Sequence, residues 1–212
     1  MKKYEYILFD WDGCLAMTLD IWLEAFKEVF AEYKIFPSEH EITSLAFVNW
    51  EGPRKFGIED TELFKSKMKK KVGEKNEGVL LYDGVLDTVK KLKSKNMKLA
   101  LLTTSLEDLI APALEQYHLR QYFDTILTAE TVTKHKPDPQ IIDLAITRLK
   151  GNKDSAIMIG DSVSDLGAAN NAHIDSILFY PQHNHLFYSL DTLKSFKPTY
   201  VVSEFAQLLH IL

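Results

Sequence analysis

The spacing of apolar positions changes twice along the chain. Tyr4-Glu5-Tyr6-Ile7-Leu8-Phe9 is a nearly unbroken apolar run of strand-forming residues, the pattern of a strand covered on both faces. It stops at Asp10-Trp11-Asp12-Gly13, where a glycine lets the chain turn at once. From about residue 16 to about residue 81 the apolar positions then recur at helical spacing. Asp20 is placed to cap a helix with Trp22, Ala25, Phe26, Val29, Phe30 and Tyr33 on one stripe. Pro37-Ser38 opens a second, short helix to about Phe47. Residues 48–57 read as irregular. A third helix, from about Ile58 to Lys75, carries Leu63, Phe64, Lys67, Met68 and Lys71 in register.

Beyond Leu81, helix and strand alternate. Strands are predicted at Lys98–Thr104, Phe123–Leu127, Ser155–Ile159 and Ser176–Tyr180, with a short edge strand at Thr199–Val202. Helices are predicted at Gly84–Lys95, after Ser105, from Pro139 to Lys150, up to about Asn171, and at the C-terminus. Ser105 reads as a helix cap, with Glu107 and Asp108 in the first turn. Pro181 to Pro198 reads as a loop. This order predicts an α/β fold, a doubly wound parallel sheet with an all-helical insertion. The expected division is a core of residues 1–15 and 82–212 and a cap of residues 16–81. Two connections between them are what a hinged lid needs.

Composition adds bounds. The 212 residues are 46% hydrophobic and 26% charged, enough to bury a sizeable core, and the net charge of −5 argues against nucleic acid as the main partner. The single cysteine, Cys14, excludes an intramolecular disulfide framework and reads as a small buried residue. No apolar run is long enough to span a bilayer and no cleavable leader is evident, so a cytoplasmic protein is expected, away from membranes. Lys65, Lys67, Lys69, Lys70 and Lys71 form a basic run that reads as a solvated helix face. His183 and His185 lack further ligands nearby, so no metal is expected there.

The polar clusters all follow predicted strands. Asp10 and Asp12 follow the first, Thr103 and Thr104 end the second, Lys136 follows the third, and Asp161 and Asp165 follow the fourth. In a parallel sheet these ends lie side by side. Four carboxylates in one crevice repel unless a cation intervenes, and all-oxygen ligation selects a hard one such as Mg²⁺. With the metal and Lys136 present, such a pocket could take a phosphate. Between Thr103 and Thr104, chemistry alone makes no choice.

Asp10-Trp11-Asp12-Gly13, the strand ending at Thr103, Lys136-Pro137-Asp138-Pro139 and Gly160-Asp161-Ser162-Val163-Ser164-Asp165 together resemble the four ordered motifs of the haloacid dehalogenase (HAD) superfamily, with its Rossmann-like core. The helical insertion is similar to the small α-helical cap of its phosphoglycolate phosphatases and β-phosphoglucomutases. The resemblance implies that Asp10 is the nucleophile and Asp12 the general acid and base. It implies that Thr103, Thr104 and Lys136 bind the phosphoryl group. Asp10, the Asp12 carbonyl and Asp161 would hold Mg²⁺, with Asp165 on the metal's waters or orienting Lys136. Gly52, Arg54 and Lys55 resemble the family's substrate-specificity loop, and Arg54 could bind a carboxylate or second phosphate.

Cys14, Met17 and His135 depart from residues that many relatives carry; His135 is expected to be structural or solvent-facing. The implied activity is Mg²⁺-dependent hydrolysis of a small phosphorylated metabolite, by a monomer or weak homodimer. A phosphomutase or a non-catalytic binding module are the alternatives. Carbon–halogen cleavage would leave Asp12 and Asp161 unexplained.

Overall fold

The computed structural model describes residues 3–47, 51–75 and 78–212. The beginning of the expected irregular stretch, residues 48–50, therefore lies outside the described residues. The opening apolar run forms β1 (Tyr6–Phe9), followed by α1 (Leu19–Glu32). A capping box between Ser38 and Glu41 starts the short α2 (Glu39–Glu41), which continues as a π turn over Ile42–Ala46. A 3-10 turn at Gly52–Phe56 precedes α3 (Thr61–Lys75) and α4 (Val85–Ser94). Then come β2 (Lys98–Leu102), α5 (Glu107–Gln116), β3 (Thr125–Leu127), α6 (Gln140–Arg148), β4 (Ala156–Gly160) and α7 (Val163–Ala172). The chain closes with β5 (Asp175–Phe179), α8 (Leu190–Ser195), β6 (Tyr200–Val202) and α9 (Leu208–Ile211).

The strands form one six-stranded parallel sheet in the order β3-β2-β1-β4-β5-β6. The strand order reverses at β1, where a doubly wound sheet opens a crevice at its carboxyl edge. Phe9 pairs with Leu101 on one side and Ile159 on the other, so the residues that follow these strands emerge together. Alternate side chains feed two cores. Ile7, Phe9, Leu99, Leu101, Ile157 and Ile159 pack toward α4, α5 and α9. Leu8, Ala100, Leu102, Ala156 and Met158 pack toward α6 and α7. Each fully buried large side chain contributes about 1.5–3 kcal/mol.

The helical segment between β1 and α4 has its own apolar cluster. Leu23, Phe26, Phe30, Ile42, Phe64, Met68 and Val72 are buried there, joined by Leu109 of α5 and by Phe187. The Phe30 and Phe64 rings lie 4.9 Å apart and those of Phe26 and Phe64 5.9 Å apart. Along one flank α3 is tied to α1 by Lys67–Glu32 at 2.6 Å, Lys71–Glu28 at 3.3 Å and Lys75–Glu28 at 2.7 Å. Such partly exposed pairs contribute little, at most about 1 kcal/mol each, so the rings dominate. The segment leaves and rejoins the sheet through neighbouring backbone. Met17 N donates to Leu80 O at 2.8 Å and Tyr82 N donates to Leu15 O at 3.1 Å.

Three local expectations change. Thr18, not Asp20, stands at the start of α1, and its hydroxyl serves another carboxylate instead of the helix. Ser105 does not cap α5, which starts two residues later with no side-chain cap. The stretch from Pro181 to Pro198 contains a 3-10 turn at Gln182–Leu186 as well as α8, because Asn184, Phe187 and Leu193 are buried.

Candidate active site

The register places Asp10 immediately beyond β1, where its backbone N–H donates to Ile159 O at 2.9 Å. Asp161 follows β4 directly, and Asp165 lies in the first turn of α7. Lys136 reaches this point from the loop after β3. Its Nζ donates to Asp10 Oδ1 at 2.5 Å, Asp165 Oδ1 at 2.6 Å and Leu102 O at 3.0 Å. All four side chains are buried. The second oxygen of Asp165 accepts from Ser162 N at 3.1 Å and Ser162 Oγ at 2.6 Å, a capping box that locks the carboxylate while starting α7.

Asp161 is held differently. Its Oδ2 accepts from Asn184 Nδ2 at 3.2 Å, while its buried Oδ1 has no hydrogen-bond partner. An unpaired buried carboxylate oxygen is costly. The same Asn184 Nδ2 donates to Gly13 O at 2.8 Å, and the Asn184 Oδ1 accepts from Tyr82 OH. Gly13 has φ +74°, and a Cβ there would meet Asp161 Oδ2 at 2.1 Å. Only glycine lets the turn pass so close to this carboxylate.

Carboxylate oxygens of Asp10, Asp161 and Asp165 lie within 4.8 Å of one another. One ammonium cannot balance three buried anions. Burial, with Asp165 adding to it, pushes the Asp10 carboxyl up to about 8 although Lys136 opposes the shift. Burial and the neighbouring Asp165 and Asp10 push Asp161 well above the carboxylate range. Burial works against the Lys136 ammonium, but Asp10 and Asp165 more than offset it and keep it charged. The donor set is all oxygen, it carries excess negative charge, and one oxygen is orphaned. It fits a divalent cation. Asp10 and Asp161 have the oxygens to hold one, whereas Asp165 is already engaged by Lys136 and Ser162.

The Asp12 carboxylate stands outside that acidic group. Its Oδ1 accepts from Thr18 Oγ1 at 2.7 Å and Trp22 Nε1 at 2.9 Å. Its Oδ2 accepts from Ser105 Oγ at 2.6 Å and, more weakly, from Thr103 Oγ1 at 3.5 Å. Thr103 is buried, takes a bond from Ser105 N at 3.0 Å, and is absent from the cavity wall. Thr104 is on that wall.

A cavity of about 230 Å³ opens above these groups. Asp10, Asp12, Lys136 and Asp161 form its polar end; Trp22, Phe26, Phe47, Leu106 and Leu109 give it an apolar side. Gly52, Arg54 and Lys55 are not on its wall. Arg54 pairs with Glu51 at 2.5 Å, just before its own turn, and with Glu59 at 2.9 Å, just after it. Gly52 is a packing glycine, since a Cβ there would meet Leu45 O at 1.9 Å. Instead Lys65 and Lys69 of α3 face the cavity, as does His135. The sequence reading missed Ser105, Thr18, Trp22 and Asn184. The run Thr103-Thr104-Ser105 was the available signal for Ser105, but a serine before an acidic helical turn reads first as a cap. Cys14 is buried as expected, with Sγ 3.5 Å from Ile159 O. His183 lies 3.0 Å from Asp20, and His185 stacks on Tyr180.

Residues 7–179 match the haloacid dehalogenase-like hydrolase family, and the chain belongs to it. The chain is similar to pyrophosphatase PpaX of Listeria monocytogenes, with 26% identity over 99% of this chain and 96% of that protein. It is similar to pyrophosphatase PpaX of Bacillus velezensis, with 27% identity over 99% of this chain and 97% of that protein. Among solved structures, one from Bacteroides fragilis named for a haloacid dehalogenase-like hydrolase superposes with a TM-score of 0.87 at 26% identity, covering 97% of this chain and all 100% of the other. The α/β fold with its parallel sheet is thus that of the family, and the protein is a hydrolase. No helix among the described residues is long and apolar enough to cross a membrane.

Proposed function

We propose that the protein is a Mg²⁺-dependent phosphatase that cleaves a small phosphate ester or anhydride through an aspartyl-phosphate on Asp10. The observation that carries this reading is the Asp10–Lys136–Asp165 chain beside the orphaned oxygen of Asp161. Asp10 and Asp161, with the main-chain carbonyl of Asp12, would hold the cation. Once bound, Mg²⁺ would offset charge on the phosphoryl oxygens and keep Asp10 ionised.

Asp10 attacks phosphorus while the bond to the leaving oxygen breaks, and Asp12 supplies that oxygen with a proton. Water then attacks the aspartyl-phosphate, Asp12 takes the proton back, and inorganic phosphate leaves. The partners of Asp12 favour one site for this proton. The indole N–H of Trp22 can only donate, which commits Oδ1 as an acceptor. The Ser105 hydroxyl can donate or accept, so Oδ2 is the oxygen that carries the proton. Lys136 stays charged and faces the transferring group, oriented by Asp165. Thr104, on the wall, and the backbone after Asp10 complete the phosphate contacts, with Thr103 behind them holding Ser105.

Residues 16–81 act as the cap over a core of residues 1–15 and 82–212. The cluster around Phe26, Phe30 and Phe64 supports this division. The pyrophosphatase relatives extend the substrate class to anhydrides in which the leaving group is itself a phosphate. The test is hydrolysis of p-nitrophenyl phosphate. Turnover is expected with Mg²⁺ and is expected to fall to background in excess EDTA; turnover that survives chelation would refute the cation's role.

A further inference from the structure

Asn184 is fully buried, and both polar atoms of its side chain are engaged. Nδ2 has two N–H groups for two acceptors, Gly13 O at 2.8 Å and Asp161 Oδ2 at 3.2 Å. These partners fix which way round the amide lies. The Gly13 carbonyl can only accept, so it faces the nitrogen, and the Tyr82 hydroxyl must then donate to Oδ1. Burial, and Asp161 after it, push the Tyr82 phenol up, which keeps that proton in place. The turn that carries Asn184 is held as firmly. Asn184 N donates to Pro181 O at 3.0 Å, and Asn184 O accepts from Phe187 N at 3.1 Å and Tyr188 N at 3.2 Å. Phe187 is itself packed in the apolar cluster of the helical segment. Two of the three side-chain partners belong to the crossings between sheet and helical segment: Gly13 lies on the way out, and Tyr82, which donates its N–H to Leu15 O, on the way back.

We propose that Asn184 is a positioning residue for the cation: by engaging Oδ2 of Asp161 it leaves Oδ1 as the oxygen the metal takes, and Tyr82 keeps the amide in that orientation. This rests on the phosphatase reading, which gives Asp161 a cation to hold. The terminal torsion of an aspartate is soft, so burial alone does not settle which oxygen is free. Here Oδ2 lies 2.1 Å from where a Cβ on Gly13 would fall and takes the Asn184 bond, while Oδ1 has no partner. Asparagine is neutral, so replacing it leaves the charge of the site unchanged. What it removes is orientation. Mg²⁺ demands near-ideal octahedral geometry, whereas Ca²⁺ accepts flexible coordination. Loss of Asn184 should therefore weaken Mg²⁺ more than Ca²⁺.

The test titrates the full chain calorimetrically with MgCl₂ and with CaCl₂. The variants are Asn184→Ala and Tyr82→Phe, with Thr88→Val as a control for loosening of the core. Thr88 is buried, donates to Phe205 O at 3.3 Å and is not on the cavity wall. The Kd for Mg²⁺ is expected to rise about tenfold in Asn184→Ala and about threefold in Tyr82→Phe, which removes only the support of the amide. The Kd for Ca²⁺ should stay within about twofold in both. Thr88→Val should lower the melting temperature and leave both constants alone. A folded Asn184→Ala with unchanged Mg²⁺ affinity would overturn the proposal and leave the phosphatase reading standing. An equal rise for the two cations, or the same rise in Thr88→Val, would mean general loosening and would also overturn it. If Asn184→Ala does not fold, Tyr82→Phe decides alone: a selective loss of Mg²⁺ upholds the role, and unaltered binding removes it. If the wild-type chain binds no Mg²⁺, the phosphatase reading loses its cation, and the role of Asn184 falls with it.

Discussion

The two ends of the cavity are built on different principles. At the sheet end, Asp10 follows β1, Lys136 follows β3, and Asp161 and Asp165 follow β4, and they meet because the register of a parallel sheet brings these three ends together. Among the described residues, the buried side-chain oxygen without a partner here is Asp161 Oδ1, the atom to which the proposed function assigns the cation. At the α3 end, two lysines come from one helix and are only half-buried. Their position depends on how one amphipathic helix rolls against its neighbours. The contrast is one of precision: groups fixed by strand ends and by one another tolerate little displacement, whereas long side chains on a single helix can adapt.

The comparison can be broken most decisively at the sheet end. Asp10→Asn is expected to reduce turnover of an aryl phosphate by at least about 10³-fold while the protein still melts cooperatively, since the amide cannot serve as the nucleophile. Retained turnover would dissociate Asp10 from the reaction. A smaller but mixed effect is expected of Gly13→Ala. The added Cβ collides with Asp161 and forces an L-residue to φ +74°. A loss of about 1–3 kcal/mol is expected in denaturant unfolding, together with weaker Mg²⁺ activation. A variant as stable and as active as the parent would show that the turn and Asp161 are not coupled. The smallest effect belongs to Arg54→Ala. Its partners Glu51 and Glu59 are exposed, so stability should move by less than about 0.5 kcal/mol. Its kcat/KM on pyrophosphate should stay within about twofold. A tenfold loss there would assign substrate selection to the turn at Gly52–Phe56.

The sequence revealed the sheet end far better than the α3 end, for a physical reason. Tyr6–Phe9, Lys98–Leu102 and Ala156–Gly160 are apolar runs with abrupt polar stops, and a parallel sheet turns such stops into neighbours. No knowledge of side-chain direction is needed. Ser105 and Thr18 were harder because hydroxyls near a helix start fit capping equally well. Asn184 sat in what looked like a loop, and nothing local marks an asparagine that will be buried under Asp161. The lysines of α3 show the limit most clearly. Lys65, Lys67, Lys69 and Lys71 alternate along the sequence, yet two meet glutamates and two face the cavity. Periodicity defines a stripe but not what lies across from each of its borders. Arg54 is the converse case, a suggestive position whose charge is met by Glu51 and Glu59, which flank its turn.

The paired backbone at Leu15–Met17 and Leu80–Tyr82 carries one more implication. The whole span from residue 17 to residue 80 departs and returns through adjacent points. Topologically it is a bead threaded on a closed eyelet, and among its described residues no sheet strand runs through it. Swapping the bead for one of another size would leave every strand pairing of the sheet where it is, so a laboratory graft could exchange the whole span without rebuilding the carboxyl edge of the sheet.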